Sequence, residues 1–229
     1  MEHLLDNPVW NALISGNRNL SFGTEEVKYF SKEVSPFAGM KKNTPENLLK
    51  LSHLLPEDSK RALCHQGKLE VPACWTIFQE VDVFQMVLSE QHAGTPDDKE
   101  IRILNNQDVP AMLALTKLTH PGPFSEKTLL FGHYAGIFIG NRLASMAGQR
   151  MHPVPYAEIS AVCTHPDFSH RGLAGKLINY QIRRICAASQ IPFLHVKTDN
   201  EHAIRLYEGL GFVIRKEMKV FILGKNGKP

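Results

Sequence analysis

The chain has 229 residues, 43% of them hydrophobic and 21% charged, and a formal net charge of +3 at pH 7. That length allows one large or two small domains, and the composition is close to ordinary globular usage, enough to bury a core. The charge is too balanced to argue for nucleic acid, though it is compatible with a local positive pocket for an anionic cofactor. Cysteines stand at 64, 74, 163 and 186 with no CxxC pair, which argues against a zinc site and a disulfide framework and for reduced cytosolic thiols. The opening MEHLLDNPVW lacks the basic start and apolar stretch of a signal peptide. No apolar run approaches the roughly 20 residues of a membrane span. The expectation is a cytoplasmic protein without membrane, metal or nucleic-acid partners.

In chain order, Asn7-Pro8-Val9-Trp10 and a polar stretch come first. Residues 24–34 then predict a helix, with Thr24 as its cap and Val27 and Phe30 on one face. Thr44-Pro45-Glu46 opens a second short helix over 44–54, in the order N-cap then N1. Residues 74–80 and 81–88 read as two strands, with Trp75, Ile77 and Phe78 supplying apolar bulk. Residues 91–100, QHAGTPDDKE, hold Gly94, Pro96 and four charges and read as a linker. The chain thus divides at 97/98. The unit 1–97 carries no assignable motif and reads as an α/β scaffold or a lid over an acceptor.

The unit 98–229 begins with a strand at 101–104 and a helix at 108–118, spaced by Val109, Met112, Leu113 and Leu115. Strands at 134–139 and 142–148 flank Gly140-Asn141, a hairpin signal. A strand at 156–163 leads to a helix at 172–188, with Leu173, Leu177, Ile178, Ile182 and Ile185 on one side and Lys176, Asn179 and Arg183 on the other. A strand at 193–197, a helix at 201–210 and a strand at 212–222 complete the order β-α-β-β-β-α-β-α-β.

The segment AEISAVCTHPDFSHRGLAGKL, 157–177, carries the chemistry. A strand runs through a Pro166 loop into a helix whose first turn is Gly172-Leu173-Ala174-Gly175. A helix start leaves backbone N–H groups without partners, and its dipole favours an anion by about 0.3–1 kcal/mol. Small residues let a pyrophosphate approach those amides, and Arg171 and Lys176 can add charge. A phosphate loop of the GxxxxGK[ST] type and a GxGxxG fingerprint are both absent from the sequence. A second segment, FLHVKTDNEHAIRLYEGLGF at 193–212, gives strand, Asn200 as N-cap, helix, and Gly211 as a C′ residue.

Together the two segments resemble the GCN5-related N-acetyltransferase (GNAT) superfamily. Its pattern V-x-P-x-[YF]-[RQ]-x-x-G-x-[GA] is met by Val162, His165-Pro166-Asp167-Phe168 and Ser169-His170-Arg171-Gly172-Leu173-Ala174. Its later N-x-x-A-x-x-[LF]-Y-x-x-x-G-F block is met by Asn200, Ala203, Leu206-Tyr207 and Gly211-Phe212. The match covers roughly 100–224, and 1–97 is more loosely similar to the accessory half of the glycine N-acyltransferase-like branch. Ser169 departs from the pattern, standing where the family has Arg or Gln to shape the pyrophosphate loop.

The resemblance implies an α/β (α+β) fold with a twisted, mostly antiparallel sheet flanked by helices. It also implies transfer of an acetyl or short acyl group from acetyl-CoA to a primary amine. It sets the backbone of Val162, Cys163 and Thr164 beside pantetheine, and His170, Arg171, Gly172, Leu173, Ala174, Gly175 and Lys176 around the pyrophosphate. Asn200 falls beside the pantetheine or the thioester end, and Ala203 counts among the cofactor-binding residues. Tyr207 is expected as general acid toward the departing thiolate, with Glu158 or His195 as base. Cys163 raises covalent transfer through a thiol as an alternative, but the family pattern favours direct attack. The accessory half favours a small-molecule amine as acceptor. A protein or peptide acceptor and a non-catalytic acyl-CoA-binding module are the alternatives, and a homodimer is compatible with each.

Overall fold

The computed structural model describes residues 3–89 and 99–226. Pro8, rigid at the first turn, starts helix α1 (Pro8–Ile14). Three short strands surround the next loops: β1 (Ser21–Gly23), β2 (Val27–Phe30) and β3 (Ala38–Met40). Helix α2 (Pro45–Leu54) follows, then β4 (Lys60–His65) and the long β5 (Trp75–Leu88). Beyond lie β6 (Ile101–Ile103), α3 (Val109–Thr119), β7 (Ala135–Ile139), β8 (Arg142–Gln149) and β9 (Tyr156–Thr164). Helix α4 (Leu173–Ala187), β10 (Ile191–Lys197), α5 (Glu201–Gly209) and β11 (Phe212–Lys225) complete the chain. From β6 onward the order is the one the sequence predicts.

Two sheets form. The small one runs β1-β2-β3, and the large one has eight strands in the order β4-β11-β5-β10-β9-β8-β7-β6. In the large sheet β10 and β9 pair parallel, and the other neighbouring pairs are antiparallel. The division at 97/98 therefore does not separate two sheets: β11, from the second expected unit, lies between β4 and β5 of the first. Most of the expected linker, residues 91–98, lies outside the described residues. The small sheet is tied to the large one through a parallel bridge between Phe37 and Ala62. Helix α1 docks on β3 because Gly39 has no side chain; a Cβ there would sit 2.5 Å from the Trp10 nitrogen.

The helix expected over 24–34 is absent, and β2 occupies its centre. Val27 and Phe30 are both fully buried. Their three-residue spacing mimics a helical face, but four residues ending in an aromatic pair suit a strand. Thr24 caps nothing helical. Its N–H donates to the Val27 carbonyl at 2.8 Å, and its Oγ1 accepts from the Glu26 and Val27 N–H groups at 3.3 Å, which closes a hairpin turn. At 44, by contrast, the expected cap is present: Thr44 Oγ1 accepts from Asn47 N–H at 3.4 Å. The strands expected at 74–80 and 81–88 are one strand, because β11 pairs with β5 along its whole length.

Helix α4 buries Leu173, Leu177, Ile178, Ile182 and Ile185 against the large sheet, each worth about 1.5–3 kcal/mol. That packing fixes the start of the helix relative to β9. Among the described residues no helix is long and apolar enough to cross a membrane.

Candidate active site

The parallel register of β9 and β10 ends at Phe193 opposite Glu158. On the other side of β9 the ladder with β8 slips between the pairs Met146–Cys163 and Gly148–Ser160. The extra residue forms a bulge, which bends a strand and increases its twist. Ala161 takes φ 52° there, a left-handed conformation that costs an L-residue roughly 1–2 kcal/mol. β9 and β10 thus part, and a cleft of about 1470 Å³ opens, lined by residues 159–164 on one side and by Val196 and Lys197 on the other.

The start of α4 meets this cleft, and residues 169–175 line it. Gly172 is the N-cap with φ 71° and makes no side-chain cap bond. Lys176 N–H donates to the Gly172 carbonyl at 3.0 Å, so the amides of 172–175 belong to the first turn and have no intrahelical acceptor. Four such amides at the positive end of a 15-residue helix fit a diphosphate. Ser169 Oγ donates to the Pro166 carbonyl at 2.8 Å and tightens the preceding turn. Arg142 braces the same loop from β8, donating to Asp167 at 2.8 Å with its guanidinium 4.9 Å from the Phe168 ring. Arg171 lies 5.4 Å from that ring. Lys176 is not among the lining residues, and its amine donates to Glu100 at 2.9 Å.

Asn200, which also lines the cleft, caps α5 through Oδ1 by accepting from Ala203 N–H at 3.1 Å, and His202 in the first turn of α5 lies with its ring centroid 6.3 Å from that of His170. Tyr207, on the buried face of α5, lines the cleft, and burial pushes its phenol up to about 12. Burial likewise raises the Cys163 thiol to about 11, against a smaller opposing effect of a hydrogen bond with Thr119. A thiol so held carries little thiolate at neutral pH.

Beyond the last β9–β10 pair lies a buried polar cluster. Arg150 donates to Glu158 through Nε at 2.8 Å and Nη2 at 2.6 Å. Glu158 Oε1 also lies 2.8 Å from His195 Nδ1. The carboxylate is completely buried. Burial alone would raise it, but Arg150 and His195 outweigh that and hold it at about 2. The Gln85 amide is oriented by two partners: its Oε1 accepts from Arg215 Nε at 2.6 Å, and its Nε2 donates to the Leu5 carbonyl at 2.9 Å. The same Nε2 lies 3.1 Å from His195 Nε2. This assigns an Nδ1–H donating to Glu158 and an Nε2 lone pair facing Gln85. Burial opposes charge on the ring; Cys64, whose Sγ lies 3.9 Å from Nε2, and the Glu158 carboxylate raise its basicity above that of ordinary histidine. His195 and Arg150 line the cleft, whereas Glu158 lies behind them. Among the described residues no group of three or more His, Cys, Asp or Glu side chains is placed to hold a metal ion.

Residues 134–221 match the FR47-like protein family. A ribosomal protein bS18-alanine N-acetyltransferase of Salmonella typhimurium (strain LT2) is 32% identical over 118 residues, 49% of this chain and 79% of that enzyme. A crystal structure from Novosphingobium aromaticivorans DSM 12444, assigned to the GNAT family of acetyltransferases, is 35% identical with a TM-score of 0.91, covering 99% of this chain and 100% of that one. The chain belongs to the GNAT family. A GCN5-related N-acetyltransferase from Kribbella flavida, 11% identical with a TM-score of 0.58 over 96% of each chain, shares the fold. As a GNAT protein the chain is an acyl-CoA-dependent acyltransferase.

The GNAT cleft gathers most of the residues the sequence singles out. Val162, Cys163, Thr164, His170, Arg171, Gly172, Leu173, Ala174, Gly175, Asn200, Ala203, Tyr207 and His195 all line it. Two do not: Lys176 is turned to Glu100, and Glu158 is enclosed behind Arg150 and His195. Glu158 and His195, expected as alternative bases, are thus joined in one hydrogen-bonded unit. The sequence reading missed Arg150 and Gln85, which lie in no motif and join the site only through strand pairing.

Proposed function

We propose that this GNAT enzyme transfers an acetyl group from acetyl-CoA to the α-amine at a peptide or protein N-terminus, by direct attack on the thioester. The observation that carries this reading is the 32% identity, over 118 residues, to an alanine N-acetyltransferase acting on ribosomal protein bS18. It displaces the small-molecule amine expected from sequence to second place. One feature still favours a small acceptor: Phe37, Gln79, Val81 and Val83, from the N-terminal half, wall the cleft.

The chemistry of the cluster supports an α-amine. A peptide α-amine has a pKa of about 7.7–8.0, against about 10.4 for an alkyl-ammonium such as lysine, so it needs only a modest base. The first-turn amides of α4 hold the diphosphate, and the bulge in β9 sets the open strand edge beside the pantetheine arm. His195 Nε2 takes the amine proton as the new C–N bond forms, exchanging its Gln85 partner for that proton. Glu158 orients the ring and stabilises the charge it acquires. The C–S bond then breaks, and the Tyr207 hydroxyl donates to the departing thiolate. With its phenol at about 12, Tyr207 acts chiefly by hydrogen bond, since a thiol ionises near ~8.5.

Tyr207→Phe is accordingly expected to lower kcat roughly 10–100-fold, the worth of one hydrogen bond to a charged group. Single-turnover acetylation measures this, and an unchanged rate would remove Tyr207 from the mechanism. The reading itself is tested by incubating the chain with acetyl-CoA and a panel of N-terminal peptides, amino acids and polyamines, with thiol release and product mass as readouts. Acetylation on the peptide α-amine is the expected result. Turnover confined to polyamines or side-chain amines would sink the proposal.

A further inference from the structure

Resting on the N-terminal acceptor reading, we infer that Arg150 is the residue that recognises the acceptor, by donating from Nη1 to the carbonyl oxygen next to the α-amine. The guanidinium is planar and has two usable edges. One edge, Nε and Nη2, is held by Glu158 at 2.8 and 2.6 Å. Nη1 is the nitrogen turned away from that carboxylate. Arg150 lines the cleft, with its guanidinium 4.8 Å from the Phe37 ring, which lines the cleft too.

Geometry ties this donor to the chemical step. Glu158 Oε1 is the common partner of Arg150 Nη2, at 2.6 Å, and of His195 Nδ1, at 2.8 Å. His195 and Arg150 are therefore held to one carboxylate, and both residues line the cleft. A molecule whose amine approaches His195 and which carries an oxygen a few bonds away can meet both groups. An N-terminal residue has that shape, its amine and carbonyl being separated by one carbon. The wall formed by Phe37, Val81, Val83 and Ile222 is apolar, with Gln79 as an uncharged polar neighbour on the same strand as Val81 and Val83.

Electrostatics chooses between a peptide carbonyl and a free carboxylate. Glu158 stays ionised and Arg150 stays charged, raised further by Glu158 although burial opposes it. With His195 unprotonated, the state in which it accepts the amine proton, the cluster is neutral, so a second carboxylate entering the cleft gains little from Arg150 and is repelled by Glu158. A neutral carbonyl gains the hydrogen bond without that repulsion. The acceptor class is thus α-amines followed by an amide, with free amino acids disfavoured.

The test compares four acceptors in the intact chain with acetyl-CoA: an alanyl peptide, alaninamide, free alanine and 1,1-difluoropropan-2-amine. The last keeps the methyl group and a weakly basic amine but has no carbonyl. Wild-type kcat/KM for alaninamide is expected to exceed that for the difluoro amine by about tenfold or more, the worth of a charge-assisted hydrogen bond, and to exceed that for alanine. Arg150→Lys keeps a cation on Glu158 but lacks the second edge, so the alaninamide to difluoro amine ratio should fall toward one. Equal wild-type turnover of those two acceptors, preference for free alanine, or an undiminished ratio in Arg150→Lys overturns the inference. If Arg150→Lys does not fold, judged by melting and by acetyl-CoA calorimetry, the wild-type comparison decides alone. Turnover of the alanyl peptide with no such discrimination would leave the N-terminal reading standing and remove Arg150 from it. Absence of α-amine acetylation with every acceptor would remove both.

Discussion

His195→Ala should lower single-turnover acetylation of an N-terminal peptide by about 10²–10⁴-fold, the usual contribution of a positioned general base. The acceptor amine must lose a proton as the C–N bond forms, and His195 lines the cleft with Nε2, which faces Gln85, as its nitrogen not bound to Glu158. Its tautomer is fixed from both sides, by Glu158 at Nδ1 and by Gln85 at Nε2. Burial and the Gln85 N–H oppose protonation, while Cys64 and the carboxylate favour it, so the ring titrates above the ordinary 6.5 and toward about 9. The pH dependence of kcat, which reports groups in the bound complex, should therefore rise through a limb in that interval. In His195→Ala the part of the limb that belongs to the enzyme should vanish, while any part that follows the acceptor's own amine should remain. Acceptors of different amine pKa separate the two. A variant within about threefold of wild type, with an unaltered limb, would show that solvent or another group takes the proton.

Much of this site is local in sequence, and that is why it can be read there. The first turn of α4 is written in consecutive small residues, Gly172 to Gly175, and the cap of α5 in Asn200, and both lie where the motifs put them. The polar cluster is written differently. Gln85, Arg150, Glu158 and His195 lie on or beside four strands, β5, β8, β9 and β10, and up to 110 residues apart, and each alone looks like an ordinary polar residue of a strand. Only the register of β5, β10, β9 and β8 brings them together. The same limit hid the shared sheet: the pairing of β11 with both β4 and β5 links residues more than 120 positions apart, and no local pattern encodes it. The error at 24–34 has a local cause, because the apolar spacing of Val27 and Phe30 suits a helix and a short strand equally well.

Glu158→Gln carries the second large effect, and it separates stability from catalysis. A buried ion pair contributes little against a well-packed apolar replacement, but removing one partner leaves the other charge uncompensated and costs about 3–5 kcal/mol. Arg150 would be the stranded charge, buried beside Phe37. In a domain of this size each kcal/mol moves Tm by about 2–4 °C, so a fall on the order of 10 °C is expected at pH 7. The acid limb supplies an independent check. Glu158 titrates near 2 in the folded chain against 4.5 unperturbed. Its contribution is thus fully present above pH 4.5 and disappears as pH falls from 4.5 toward 2, amounting to about 3 kcal/mol. Wild type should lose that much stability across this window and Glu158→Gln should not, so the two stability curves converge in acid. Activity of the folded variant should fall as well, because an amide can still orient His195 but cannot stabilise the imidazolium. Equal melting temperatures at pH 7 with parallel acid limbs would mean that Glu158 is not the ionised keystone of the cluster, and the roles assigned to Arg150 and His195 would need another anchor.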